Sequence, residues 1–298
     1  MKIFVSVVVP TYNRDQSLCD TLTCLIKQDY QDYEIIVVDQ SDRTFLSKQA
    51  FFKQHKNRFK LIKLKQANLP RARNYGVKAA RGEVIIFCDD DILCGPKFVA
   101  NHVVNYQDKT IGAVAGRVVE KNKMALPIEI VGQITSWGTV GGGFSSKKRQ
   151  MVGNLFGCNF SVKKELVSVV GGFDENFIGN ALREESDFAI RLIKAGGKII
   201  FDPKSKVTHL HTLVKSGGCR KTGNRLRWYR DFFQNESYFF LKHFSLVFLP
   251  LFYLIRWQYF FRSMFGFGRE VSLKSLSTPW LGIYLGFKSF LKKNDNRD

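Results

Sequence analysis

Along the first 120 residues, short apolar runs alternate with segments of helical spacing. Ile3 to Val9 (IFVSVVV) is a continuous run rich in β-branched residues, as in a strand buried on both faces. Leu18, Leu22, Leu25 and Ile26 then recur at helical spacing, with Asp15 placed to cap. EIIVVD (34–39) is a second strand; a polar helix-like segment and FKLIKLK (59–65) follow. Pro70 suits the first turn of a helix ending near Gly82. EVIIFC (83–88), a helix over 96–106 and IGAVAGRVV (111–119) complete the series. Strands buried on both faces and joined by helices predict a doubly wound, parallel α/β sheet. Ligands bind beyond the carboxyl ends of such strands. Three polar clusters fall at those ends: PTYNR (10–14), DQSD (39–42) and DDD (89–91).

The pattern changes after residue 119. TVGGGFSSKKRQ (139–150) is glycine-rich, basic and without period, and reads as a mobile loop. GCNFSVKKELV (157–167) reads as a short strand entering a helix, and GGFDENF (171–177) as a turn. Residues 183–202 give a helix, a glycine turn and a strand. In that helix Asp187 stands four before Arg191, the spacing of a surface ion pair. FSLVFLPLFYLI (244–255) is twelve residues without a charge, short of the roughly 20 that span a bilayer. Pro250 interrupts it, so an interfacial or core-packing helix pair is expected.

Composition narrows the picture. At 298 residues and 45% hydrophobic content the chain supports an ordinary core. The six cysteines form no CxxC pair, so they read as buried hydrophobes in a reducing compartment rather than a zinc site. The N-terminal apolar stretch is too short for a signal peptide and reads as the first strand, which points to the cytoplasm. Formal net charge is +20, and residues 211–298 hold fifteen Lys or Arg against five Asp or Glu. Phosphorylated small molecules, an anionic membrane surface and nucleic acid all fit that balance. Within the tail the positive charges interleave with an apolar block, which suits a membrane surface or a packed helical subdomain better than nucleic acid.

Three adjacent aspartates in a basic chain raise one another's pKa unless something cationic joins them. Mg2+ and Mn2+ take oxygen ligands, often one or two carboxylates plus substrate phosphates. Alternation in an extended segment puts Asp89 and Asp91 on one face and Asp90 on the other. His209 and His211 follow the last predicted strand, and a neutral imidazole there is either a Mn2+ ligand or a satisfied loop residue. Glu184 and Glu185 open a helix, where either complements the helix dipole. Glu185 shares a face with Phe188, Ala189 and Leu192.

VSVVVPTYNR, EIIVVDQSD and NLPRARNYGVKAARGEVIIFCDDD, in that order, resemble the start of glycosyltransferase family 2. GCNFSVKKELVSVVGGFDENF, REESDFAIRLIKAG and VTHLH resemble its later segments, so the likeness covers about residues 3–211. The resemblance implies a GT-A fold with a Rossmann-like, mostly parallel sheet. It divides the chain into a catalytic domain at 1–212, made of a nucleotide-binding half (1–119) and an acceptor half (120–212), and a helical region at 213–298. It also implies inverting transfer from a nucleotide-diphosphate sugar to a glycan or lipid-linked acceptor, which with the basic, apolar tail fits surface polysaccharide synthesis at the inner face of the cell membrane. Pro10, Thr11, Asn13 and Arg14 would line the nucleotide pocket, Asp39 would bond the base and Arg73 would lie near the nucleotide. Asp89 would face the ribose side, with Asp90 in the same nucleotide-binding set. Asp91, with His209, would hold Mg2+ or Mn2+. Glu185 falls at the catalytic-base position, where the family usually has Asp. Two other readings stay open: a nucleotidyltransferase acting on sugar phosphates, although PTYNR is no glycine-rich phosphate loop, and a basic nucleic-acid-binding module.

Overall fold

The apolar runs form strands close to where their pattern put them. A computed structural model describes residues 2–42, 46–120, 129–210, 225–265 and 273–295. Its first half contains β1 (Val5–Thr11), α1 (Gln16–Ile26), β2 (Tyr33–Asp39), α2 (Leu46–Gln54), β3 (Lys60–Lys63), α3 (Leu69–Ala79), β4 (Val84–Cys88), β5 (Ile92–Cys94), α4 (Phe98–Val103) and β6 (Ile111–Glu120). Next come β7 (Gln133–Ile134), β8 (Val140–Gly141), β9 (Gln150–Met151), β10 (Asn159–Lys163), α5 (Lys164–Val169), α6 (Glu184–Lys194) and β11 (Lys198–His209). Helices α7 (Arg225–His243), α8 (Leu249–Phe265) and α9 (Leu273–Asp295) follow. His211 lies outside the described residues, as does the boundary expected at 212.

The main sheet has the order β3-β2-β1-β4-β10-β6-β11-β5, with β9 on β11. β1 runs parallel to β2 and β4, β2 to β3, and β6 to β11. The sheet is mostly parallel, as expected, with antiparallel pairing at β10 and where β5 and β9 join β11. β10 lies antiparallel between β4 and β6. An antiparallel strand needs no helical crossover from its neighbour. Its register sets Asn159 opposite Cys88, so β10 begins at the end of the sheet where β4 stops. The register of β1 on β2 pairs Thr11 with Asp39. PTYNR, DQSD and DDD therefore share one rim.

Burial follows the pattern. Every residue of β1 and β4 is buried, as are Leu18, Leu22 and Leu25 of α1. Helix α3 starts as its sequence suggests, with Asn68 accepting from the Arg71 N–H at 2.8 Å and Pro70 in the first turn. It packs so close to β1 that a Cβ on Gly76 would stand 2.3 Å from a Val8 methyl. Asp15 occupies the N-cap of α1 but makes no capping bond through its side chain. The stretch 139–150, expected as a loop without anchors, is tied down. Phe144 is buried, stacks on Phe156 at 5.4 Å, and its carbonyl accepts from the Val118 N–H. An aromatic residue inside a glycine-rich segment outweighed the composition.

Helix α7 packs on the segment before α6. Asn235 of α7 bonds both the N–H and the carbonyl of Ile178. Helix α9 lies against α7 through Gly282 and Gly286, where a Cβ would meet the carbonyls of Arg230 and Gln234 at 2.5 and 2.7 Å. Covering by α7 corrects the reading of Asp187. Its ion pair with Arg191 forms at 2.7 Å, but the carboxylate is wholly buried and also meets His243 and Lys242. Burial alone would raise its pKa; the hydrogen bond from His243 and the charges of Arg191 and Lys242 instead hold it at about 2. Among the described residues no helix is long and apolar enough to cross a membrane.

Candidate active site

The rim formed by the ends of β1, β2 and β4 gathers most of the residues singled out in the sequence. Beyond β1 the chain turns at Asn13, which takes a left-handed φ of 51°, a conformation asparagine tolerates better than most residues. The Asn13 N–H donates to Ser41 Oγ at 2.8 Å, joining PTYNR to DQSD. Arg14, buried, then reaches across to the aspartates. Its Nε bonds Asp90 at 3.1 Å and its Nη2 bonds Asp91 at 3.2 Å.

The three aspartates divide as alternation predicts. Asp90 points to Arg14. Asp89 and Asp91 turn toward His209 at the end of β11, with His209 Nε2 at 3.8 and 3.0 Å from their carboxylates. One ligand atom from each of Asp89, Asp91 and His209 lies within 4.8 Å of the others. The Leu210 N–H donates to the Asp91 carbonyl at 2.8 Å, and β5 pairs with β11, so the aspartate and histidine segments form one edge. Burial pushes the Asp90 carboxyl up to about 6, opposed by Arg14 and reinforced by Asp91 and Asp89. Three carboxylates against Arg14 leave two negative charges. Two hard carboxylates and a borderline imidazole fit a divalent Mn2+ or Mg2+ that would balance them.

Asp39 and Arg73, both expected at the nucleotide, are buried. Asp39 is buried, one oxygen accepting from the Ser41 N–H at 2.9 Å and the other from Lys63 Nζ at 2.7 Å. Lys63 on β3 is therefore part of that corner, and only the β2–β3 register brings it there. Arg73 is 1% exposed and offers no surface to a nucleotide. Its guanidinium lies over Phe160 and Phe173, donates to the Gly157 carbonyl at 2.9 Å and forms a buried ion pair with Glu184. The cause is the inserted strand β10, whose start covers that face of α3.

The Arg73 pair separates the two glutamates. Glu184 faces inward and is 1% exposed, whereas Glu185 keeps part of its surface open. Burial raises the Glu185 pKa; Arg73 and Arg183 pull it down and Asp89 adds to the rise. Glu185 therefore stands within electrostatic reach of the aspartate rim. A carboxylate with raised proton affinity beside a divalent-cation site is suited to taking a proton from a substrate.

A family model described as Glycosyl transferase family 2 matches residues 6–171, more than half of the chain. The chain belongs to glycosyl transferase family 2. This family 2 glycosyltransferase is 26% identical over 215 residues to a glucosyl-dolichyl phosphate glucuronosyltransferase of Haloferax volcanii, covering 69% of this chain and 68% of that protein. It is 25% identical over 217 residues to a dolichyl N-acetyl-α-D-glucosaminyl phosphate 3-β-D-2,3-diacetamido-2,3-dideoxy-β-D-glucuronosyltransferase of Methanococcus voltae, covering 67% of this chain and 64% of that protein. The fold matches that of a Pyrobaculum calidifontis mannosyltransferase in complex with GDP-Man and Mn2+. Its TM-score is 0.58 at 18% identity, over 99% of this chain and 76% of the other. The fold is therefore GT-A.

Half-buried Arg183 and buried Glu236 and Arg256, clustered beside α6, had no sequence signal.

Proposed function

We propose that this enzyme is an inverting glycosyltransferase that moves a sugar from a nucleotide-diphosphate donor to a hydroxyl of a lipid-linked or glycan acceptor. The observation that carries the reading is the separation of labour at the rim: Asp89, Asp91 and His209 converge on one point, and Glu185 stands nearby. Asp89, Asp91 and His209 would hold the divalent metal, which when bound stabilises charge on the departing diphosphate. Pro10, Thr11, Asn13 and Asp39 form the corner for the nucleoside, and Arg14 keeps Asp90 and Asp91 in place. Glu185 takes the acceptor hydroxyl's proton as that oxygen attacks the anomeric carbon. The bond from that carbon to the diphosphate oxygen breaks on the opposite side, so the configuration inverts. Arg73 supports the base indirectly, by holding Glu184 inward.

The relatives that act on dolichyl-linked sugars favour a lipid-linked acceptor in surface polysaccharide synthesis. The C-terminal helices favour a peripheral position on the cytoplasmic face of an anionic membrane. Leu251 and Leu254 on α8 and Trp280, Leu281, Tyr284 and Leu291 on α9 are exposed, and Trp257 and Trp280 in contact at 5.5 Å join the two faces. Arg262, Lys288 and Lys292 are exposed beside them. Residues 249–265 and 273–294 contain no Asp or Glu. Apolar anchors ringed by cations alone suit anionic lipid.

Thermal shift with UDP- and GDP-sugars, in Mn2+, Mg2+ or EDTA, tests the donor. One nucleotide class is expected to raise the Tm only with a divalent metal. Release of pyrophosphate instead of a nucleoside diphosphate would convert the reading to nucleotidyl transfer. For the membrane surface, co-sedimentation with phosphatidylglycerol vesicles is expected to exceed that with phosphatidylcholine. It should weaken with salt and be lost in Leu254→Asp/Trp280→Asp. Equal binding to both vesicle types, or no effect of the double substitution, would remove the membrane from the proposal.

A further inference from the structure

We infer that Glu236 of α7, acting through Arg183, is a positioning residue for Glu185, so that the C-terminal helices form part of the catalytic apparatus. The inference rests on the reading of Glu185 as the base.

Arg183 precedes α6 and has φ 77° and ψ 0°, a left-handed backbone that a side chain with a Cβ rarely adopts. This residue sets the direction in which α6 leaves, and hence where Glu184 and Glu185 point. Its guanidinium is held by Glu236, with Nε and Nη2 at 2.9 and 2.7 Å from one carboxylate oxygen. The other oxygen accepts from Arg256 of α8, at 3.0 Å from Nε and 2.8 Å from Nη2. Arg256 also donates to the Gly138 carbonyl at 2.8 Å and lies over the Phe252 ring at 3.8 Å. The Glu236 side chain is 1% exposed and that of Arg256 4%.

A chain of charge-assisted bonds thus runs from the turn at Gly138, through α8 and α7, to Arg183, two residues before Glu185. The neighbours of Glu185 are fixed on both sides: Glu184 by Arg73, and Asp187 by Arg191, His243 and Lys242. A buried ion cluster adds little net stability over apolar packing of the same volume. Its geometry, however, is directional. Two forked guanidiniums on one carboxylate fix the relative placement of three helices. A strained backbone position persists where its surroundings over-determine it, and such positions concentrate at active sites. Arg183 also lies close enough for its charge to act on Glu185.

The test is Arg183→Gly. Glycine adopts this backbone without strain, and the Glu236–Arg256 pair remains, so the variant isolates the side-chain link. Turnover, read as nucleoside diphosphate release from UDP- and GDP-sugars with Mn2+, is expected to fall about tenfold or more, since small misplacements at a reacting centre are costly. Donor KM and the Mn2+-dependent thermal shift with UDP or GDP should stay near wild type. Glu236→Asp, which keeps the charge but shortens the reach, should give an intermediate loss and add nothing to Arg183→Gly in the double variant. On a Glu185→Gln background, Arg183→Gly should cause no further loss. Wild-type turnover in Arg183→Gly, or its full loss reappearing on the Glu185→Gln background, would overturn the inference. Full turnover in Glu185→Gln alone would instead refute the base, whatever Arg183→Gly does.

Discussion

Asp91→Asn is expected to lower turnover on the order of a thousandfold and to abolish the metal-dependent Tm shift with a nucleoside diphosphate. Several kilocalories of transition-state stabilisation by a metal convert to that factor. Asp91 is the most connected acid of the rim: one oxygen faces His209 at 3.0 Å and the other Arg14 at 3.2 Å, and its side chain is 1% exposed. Asparagine keeps the size and one acceptor oxygen but removes the charge that a divalent cation needs. The free protein should therefore fold, while titration with Mn2+ in the presence of UDP or GDP should give no shift. Full turnover in Asp91→Asn would end the metal assignment at this cluster. Asp90→Asn is the comparison, because Asp90 points to Arg14 instead of His209; its Mn2+ response is expected to survive.

Glu185→Gln is expected to reduce turnover by about a hundredfold to ten-thousandfold, the usual contribution of a positioned general base. Binding of the nucleoside diphosphate with Mn2+ should be unchanged, since the amide alters only the group that takes the proton. Separate measurement of turnover and of the Tm shift distinguishes this from loss of the metal site. The neighbouring Glu184→Gln should behave as a stability variant. It leaves Arg73 buried without its charge partner, which costs about 3–5 kcal/mol, and its lesion should appear as a lower Tm. If Glu184→Gln lost turnover at full stability while Glu185→Gln kept it, the two roles would be exchanged.

Much of the rim was legible because it is local. Strand β4 runs directly into Asp89, Asp90 and Asp91, and alternation alone separated the outer pair from the middle residue. The turn after β1 and the strand-end aspartate of β2 were readable for the same reason: a polar cluster after a buried strand has a fixed place in an α/β sheet. The proposed base was readable to within one residue, since both glutamates open a helix at adjacent positions and dipole complementation fits either.

Other assignments needed contacts across the chain. Arg73 looked like a nucleotide ligand because α3 follows the rim, but β10 enters between β4 and β6 and seals it against Glu184. Asp187 and Arg191 show the right spacing for a surface pair, but spacing on a helix does not tell which face another helix will cover, and α7 covers this one. The link from Gly138 through Arg256 and Glu236 to Arg183 joins residues far apart in sequence, each unremarkable alone.

By itself, then, the sequence determined the sheet, its rim and the acids that end its strands, because hydrophobic periodicity and strand-end polarity are properties of consecutive residues. Tertiary structure alone decided which acids are free to act. Whether a carboxylate is an ion-pair strut or a working group depends on the cation packed against it, and Arg73, Lys63, Lys242 and Arg256 come from segments that meet their partners only after folding.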